Sequence, residues 1–479
     1  MSNPLERSPL GVLRTVAAIS AVALVAGLLL FSAVAAATTN ARSGAPGAWS
    51  VVGSGIRTVS GQIGTARTPD GVLHVIWSRG GAGTSWALLE TTVSPAGKVS
   101  VPKQIVSGWS RIDDVDAAVT KGKPLVVAFT GTKTDTTGDP TNGLNVATKN
   151  GGQWTVGAAA VYSTDLVGSS VPAIGYSGRG TLMQAWSAGG RITVHVGVDP
   201  AVPARSFGER GGNVAMAQAV VIDPTQNKAN EGTAIGWCAD GGIFWASIYV
   251  TPGPKRGLQG QVLAGSSTTR CPAAARTNLI LGHAGGFFAA ASVASEHKVL
   301  VWHVGDAPMN VAAGPGIKQQ VALGSDPRSR LWVAWHDTDS NQLHMRRSNR
   351  SANGWGAVVS TALPPAQDSL YQLTIDGQDD RVDVVGRTTK GSAVSLFHTQ
   401  MWPGLTVTAT SKARTVTVEV TDAGEPVPGS SVRVGGRLLR TNARGEATID
   451  LAAGTYKINA SKAKYVGATT NVKVTIKPA

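Results

Sequence analysis

The sequence is poor in several things at once: 2 cysteines in 479 residues, 6 tyrosines and 7 phenylalanines against 13 tryptophans, and no long helical pattern beyond the N-terminal segment. Without 3.6-residue apolar periodicity, a helical architecture is excluded and an all-β chain is left. No cysteine pair stands at zinc-ligand spacing, and neither a His-Glu-x-x-His run nor a phosphate-binding glycine loop occurs. No metal and no cofactor is therefore expected. Basic residues outnumber acidic ones, 43 to 29, for a formal charge of +14, yet no run of five or more basic residues is present. Such a charge suits an acidic partner: nucleic acid, an anionic cell-wall polymer or lipid headgroups. A nucleic-acid footprint requires clustering, however, so the scattered charges read as a solvated basic surface and no nucleic-acid partner is expected.

What is present is a repeat. A Gly/Asp/Pro turn followed by a short apolar strand recurs as VLHVIWSR (Val72 to Arg79), LVVAFTG (Leu125 to Gly131), TLMQAWSAG (Thr181 to Gly189), GTAIGWCAD (Gly232 to Asp240), GFFAAASV (Gly286 to Val293), RLWVAWHD (Arg330 to Asp337) and RVDVVGRT (Arg381 to Thr388). With Trp77, Phe129, Trp186, Trp237, Ala291, Trp335 and Val385 as equivalent positions, the intervals are 52, 57, 51, 54, 44 and 50 residues. An all-strand repeat of about 40 to 50 residues is the signature of a propeller blade. Each unit parses into four strands joined by turns such as TPDG (Thr68 to Gly71), where Gly supplies positive φ and Asp bonds its own backbone. The tryptophans track the strands and are expected to pack between blades. The fold class is a seven-bladed β-propeller, with six blades as the alternative count, followed by a small Ig-like or transthyretin-like β-sandwich.

The seventh unit lacks an outer strand after AVSLFHTQ (Ala393 to Gln400), while one spare strand, WSVVGS (Trp49 to Ser54), precedes the first unit. The spare strand is expected to complete the last blade and leave no open sheet edge.

Met1 to Arg14 is a basic flank, and Thr15 to Ala37 is an uninterrupted apolar stretch ending in small residues. This is the layout of an export signal cleaved after Ala35 or Ala37. The stretch is also long enough to span a bilayer as an uncleaved anchor. Either way the remainder is placed outside the cytoplasm, secreted or at the cell surface, with membrane contact only through an uncleaved N-terminal segment. The expected divisions are 1–37 signal or anchor, 38–47 linker, 48–403 propeller and 404–479 sandwich. Cys238 and Cys271 fall in loops expected on one face of adjacent blades, so a disulfide is expected, with two buried thiols as the alternative.

Direct signals of catalysis are missing. Gly175, Tyr176, Ser177 and Gly178 begin like a nucleophile elbow, but Arg179 stands where the last glycine is required. Asp337, Asp339 and Asn341 have calcium-loop spacing, yet Gln342 and Ser348 occupy the positions needing Gly and Glu, so WHDTDSNQLH reads as a polar hairpin. No catalytic residue is assigned. Loops between second and third strands, with those linking blades, are expected to form the mouth of the central channel. That face carries the candidate ligand-binding residues Arg79, Trp109, Arg111, Asp113, Arg270, His336 and Asp337, with Trp86 and Arg387 nearby. Tryptophan beside arginine and aspartate suits sugar or peptide binding through stacking and charged hydrogen bonds.

Two resemblances follow from particular residues. Ser348 and Trp355 on the sixth unit, and Gly151 and Trp154 on the second, stand in a turn that resembles the Asp-box, Ser-x-Asp-x-Gly-x-x-Trp, of the sialidase-like superfamily. Arg350 and Lys149 replace the aspartate, and Ala352 the glycine. That resemblance implies a propeller, generally six-bladed, and a glycoside hydrolase with three arginines, an acid/base aspartate and a tyrosine activated by glutamate. Arg111 to Asp114 is the nearest approach to the first of these. Gly424 to Gly467, with its Pro426 to Gly429 turn and Ala453 to Tyr456 run, resembles the carboxypeptidase-regulatory-like Ig-type sandwich, which implies a non-catalytic spacer or adhesion unit. The resulting expectation is an exported, monomeric binding or adhesion protein for a glycan or a surface protein. Its rivals are a sialidase-like hydrolase with carboxylates assembled across blades and a purely structural surface protein.

Overall fold

The computed structural model describes residues 47–56, 62–80, 86–134, 140–157, 161–162, 172–177, 180–188, 191–197, 205–207, 214–216, 232–239, 242–249, 261–266, 280–282, 286–293 and 297–475. The expected export segment, and most of the linker after it, lie outside these. Among the described residues every regular element is a strand, and no helix is long and apolar enough to cross a membrane.

Seven small antiparallel sheets follow one another along the chain. The first is Gly64–Arg67, Leu73–Arg79, Trp86–Val93 and Lys103–Trp109, in that spatial order. The second is built on Arg111–Ala118, Leu125–Thr134 and Pro140–Asn150, with Gln153–Val156 and Val161–Tyr162 both paired to the last. The third, fourth and fifth span 173–207, 214–262 and 280–312. The sixth is Lys318–Ser325, Leu331–Asp337, Gln342–Arg347 and Val359–Ala362. Second strands are the most buried because neighbouring sheets cover both faces: Leu331–Asp337 is buried at all seven positions. Outer strands alternate poorly and stay exposed, as in Lys103–Trp109.

The seventh sheet takes three strands from the end of the run, Ser369–Gly377, Val382–Lys390 and Ala393–Met401, and its fourth from the start, Trp49–Ile56. The spare N-terminal strand thus pairs where expected, antiparallel to Ala393–Met401, with Trp49 opposite Thr399 and Ile56 opposite Val394. Val52 and Ile56 are buried with Trp77 of the first sheet and Val385 of the seventh. Trp49 donates from Nε1 to Ala362 O at 2.8 Å. Gly53 is required here, because a Cβ at that position would lie 2.6 Å from the Trp77 ring.

Contacts pass from each sheet to the next and return from the seventh to the first. Gln62 N–H donates to Asp114 Oδ1 (2.9 Å), Ile174 N–H to Asp116 Oδ2 (2.9 Å) and Trp302 Nε1 to Ala264 O (2.7 Å). Apolar clusters fill the other joints, with Ile235 and Trp237 against the third sheet and Leu331 and Trp335 against the fifth. Trp77, Trp237, Trp302 and Trp332 are all essentially inaccessible, which is the packing role expected of them. The circuit closes where Arg67 of the first sheet reaches Asp376 (2.5 Å) and Asp383 (2.7 Å) of the seventh. Asp383 also accepts from His398 Nε2 (2.8 Å) and Gln400 Nε2 (2.9 Å).

Two further antiparallel sheets, drawn from 406–474, enclose one apolar core of Val416, Val418, Val420, Val432, Val434 and Ile458 with their neighbours. This unit is seated on the sixth sheet. Arg347 is buried against Asp422, stacks over Trp332 and Tyr465 with its guanidinium carbon 5.0 and 5.5 Å from the ring centres, and donates to Asp379 O (2.9 Å). Arg330 to Glu425 (2.5 Å) and Lys464 to Asp380 (2.5 Å) flank that contact.

Deleting Ala48 to Ser54 exposes the edge of Ala393–Met401 and removes Trp49 and Val52 from the core. At about 1.5–3 kcal/mol per large buried side chain, the loss approaches the whole stability of a marginally stable fold. We expect the melting temperature to fall by more than about 10 °C, and Gly53→Ala to lower it by several degrees through overpacking against Trp77. Differential scanning calorimetry checks both, and an unchanged transition in the deletion overturns the closure.

Candidate functional site

Second strands run out, and new sheets begin, at one common end of the circuit. Here the structure sorts the sequence candidates sharply. Trp109 is the last residue of its strand and is 7% exposed, with its ring edge-on to Phe129 at 5.1 Å. It packs the joint between the first two sheets and offers no stacking face, contrary to the expectation of an exposed loop tryptophan. Arg79 ends its strand exposed. Arg270 and Cys271 lie outside the described residues, as does the side chain of Cys238, whose backbone belongs to the strand Gly232–Ala239.

His336 and Asp337 were expected in a loop but are the final residues of Leu331–Asp337, and both are buried. Asp337 accepts from Lys318 Nζ (2.6 Å), from the N–H groups of Asp339 (3.2 Å) and Ser340 (3.0 Å), and from the Ser340 hydroxyl (3.2 Å). Lys318 spends its other donors on Pro315 O (2.6 Å) and Gly316 O (2.9 Å). Burial alone would raise the Asp337 carboxyl, but the Lys318 ammonium and the Ser340 donors outweigh it and hold it down at about 2. Burial pushes His336 down, towards the neutral ring. The pair closes a hairpin, as the polar-hairpin reading of WHDTDSNQLH implies.

Arg111 and Asp113 do come together. They begin the strand Arg111–Ala118, where the pairing with Leu125–Thr134 slips between Ile112 and Val115. Such a bulge leaves residues unpaired and re-aims their side chains, and bulges recur beside functional sites. Arg111 Nε donates to Asp113 Oδ1, and burial pushes the Asp113 carboxyl up in spite of it. Asp114, next along the bulge, accepts from Gln62 N–H. Arg387 of the seventh sheet is buried, and burial pushes its guanidinium down to about 10 against the pull of Asp114. Both shifts have one cause, burial that disfavours the charged form, and groups perturbed in this way recur at functional sites. The same slip recurs at this end of Lys318–Ser325 and Ser369–Gly377, and the latter leaves Tyr371 exposed.

The degenerate boxes have structural duties. Lys149 and Trp154 of the second sheet converge on Glu90 of the first, at 2.7 and 3.0 Å, and His74 meets the same carboxylate at 2.5 Å. In the sixth sheet Asn349, beside the position of the missing aspartate, holds the turn by accepting from Asn353 N–H (3.1 Å) and Gly354 N–H (3.3 Å). Sequence reading missed the role of Glu90, Asp383 and Asp422; only the isolated carboxylate inside an apolar strand could have flagged each. Among the described residues no group of three or more His, Cys, Asp or Glu is disposed to hold a metal.

No family model matches the chain. No curated protein matches it either. Solved structures do resemble it. A virginiamycin B lyase from Staphylococcus aureus, solved with quinupristin, is 9% identical with a TM-score of 0.41, over 73% of this chain and 99% of that one. An α-L-arabinanase from Penicillium chrysogenum, complexed with arabinobiose, is 12% identical with a TM-score of 0.40, over 60% and 93%. A periplasmic gluconolactonase from Pseudomonas aeruginosa is 13% identical with a TM-score of 0.38, over 64% and 84%. Likenesses this distant assign neither activity nor substrate.

Asp337 supplies a pH prediction. Its carboxyl is depressed in the folded state, so its contribution is fully present above the unfolded value near 4 and is lost as pH falls from there to about 2. We expect Asp337→Asn to be less stable than the parent at pH 7 and to lose less further stability between about pH 4 and 2. Urea melts across that window check it; parallel curves overturn the role of the Lys318 pair.

Proposed function

We propose that the chain is an exported, surface-displayed seven-bladed β-propeller with a carboxypeptidase-regulatory-like Ig-type module, acting as a non-catalytic binding protein for a glycan or a protein ligand. The seven successive sheets, and the return of the first strand to the last sheet, support the blade count. The mouth that joins the seventh, first and second sheets is the binding site. Arg111 is the candidate ligand-facing cation and Asp113 its acceptor partner.

One observation carries the reading. Among the described residues, the carboxylates Asp113 and Asp114 at that mouth, and Asp337 at the same end of the sixth sheet, are already held by donors of the protein itself: Asp113 by Arg111, Asp114 by Gln62 N–H and Asp337 by Lys318. Paired glycosidase carboxylates must instead face a substrate across about 5 to 10 Å. An oriented Arg–Asp pair, 43% and 15% exposed at the side chains, offers donors and acceptors to hydroxyls or carboxylates without chemistry.

Screening the full-length protein on a glycan array, with Arg111→Ala alongside, tests the site. We expect at least one glycan signal that weakens about tenfold in the variant, the scale of one charged hydrogen bond, and no turnover of a fluorogenic sialoside by either protein. Turnover that disappears in Arg111→Ala overturns the non-catalytic reading in favour of the hydrolase.

Export carries its own test. Cys238 and Cys271 should be recovered as one linked peptide pair from a non-reduced digest of protein secreted by its host. Free alkylation of both thiols under denaturing, non-reducing conditions overturns the pairing.

A further inference from the structure

The two sheets of the C-terminal unit differ in charge on their outward faces. In the sheet formed by Ser431–Val434, Arg437–Arg440, Gly454–Ser461 and Ala468–Val474, valines, Ile458 and Ala460 point into the core, so the alternate residues face out. Register places Arg440 opposite Ser431, Arg433 opposite Asn459, Lys457 opposite Asn471 and Lys473 opposite Thr455. Each step from Arg440 to Arg433 to Lys457 to Lys473 therefore moves one strand across and two residues along. With strands about 4.8 Å apart and a rise of about 3.3 Å per residue, the four cations form a diagonal with a spacing of about 8 Å.

All four are exposed with the C-terminal unit seated on the sixth sheet, and no carboxylate shares the outward face. Arg440 makes one contact, to Gly429 O at 3.2 Å. On the other sheet's outward side Glu419 lies opposite Glu446, and Asp450 opposite Thr415, with Lys412 in the same row. The two remaining acids of the unit, Asp422 and Glu425, are spent on Arg347 and Arg330.

We propose that the diagonal binds an extended acidic polysaccharide, its carboxylates seated on Arg440, Arg433, Lys457 and Lys473. A flat face with cations in a line fits a linear polymer of regularly repeated charge, and the guanidinium fork matches a carboxylate. Asn459 and Asn471 beside the line present amides to sugar hydroxyls. No aromatic ring lies on the face, so bases of a single-stranded nucleic acid have nothing to stack on. The site is separate from the mouth and does not depend on the function proposed for it.

Binding of the full-length protein to immobilised polygalacturonate, followed by biolayer interferometry at about 20 and about 150 mM salt, tests the site. We expect binding that weakens at the higher salt. Arg433→Gln, Arg440→Gln, Lys457→Gln and Lys473→Gln combined should reduce affinity at least about fourfold, since each exposed ion contact contributes a factor of about 1.4 to 5. Glu419→Gln with Glu446→Gln should not weaken it. The four positions are exposed, so an unchanged melting temperature certifies the fold of the variant. No binding by the parent, equal affinity in the fourfold variant, equal binding to neutral dextran, or equal binding to a DNA oligonucleotide overturns the proposal.

Discussion

The structure depends on the joint between its seventh and first sheets. Six other joints are made by neighbours in sequence, but this one connects residues more than 300 positions apart, and a circuit of sheets left open there has two uncovered apolar faces. Two devices hold it. The strand Trp49–Ile56 supplies hydrogen bonds to the last sheet, and Arg67, its side chain 10% exposed, lies between Asp376 and Asp383. Burying a guanidinium is costly unless it is fully partnered, so the pair of carboxylates fixes where Arg67 sits. Asp383 is held in turn by His398 and Gln400. Apolar clusters supply the bulk of the stability, and the ion pairs select one closure among those that apolar packing would tolerate.

The same logic governs the seat of the C-terminal unit. Arg347 touches both parts through two aromatic faces and a carboxylate. Burial pushes the Asp422 carboxyl up even though Arg347 pulls it down, so the pair costs solvation that an apolar contact would not. What the ion pair adds is direction: a guanidinium between Trp332 and Tyr465 fits in one orientation. The resemblance of this unit implies a spacer, whereas its contacts to Arg330 and Arg347 of the sixth sheet and to Asp380, in a turn of the seventh, hold it against both.

At the candidate site the sequence was legible in parts. Arg111 and Asp113 are two residues apart at the start of a strand, so local geometry sufficed to unite them. His336 and Asp337 were correctly read as a polar hairpin, but their burial was not, because Lys318 and Gly316 arrive from a different strand. Trp109 reads as an exposed loop residue because it stands in the segment that links the first unit to the second. Its burial depends on Phe129 and on the space left by Gly131, where a Cβ would meet its ring at 3.0 Å. Arg387 and Asp114 are neighbours only through the closure of the circuit.

The sequence by itself determined the all-β class, the succession of four-stranded units, the turns between their strands and the spare strand at the start. These are local facts: apolar alternation, turn chemistry and a repeat of about 50 residues act within one unit. Tertiary structure alone decided which charges are structural. Glu90, Asp337, Asp383 and Asp422 look alike in the sequence, each a carboxylate in or beside an apolar strand, and each acquires its role from a cation or donor on another strand. Nor could linear order reveal the line of Arg440, Arg433, Lys457 and Lys473, because it exists only when strand register sets four separate segments side by side.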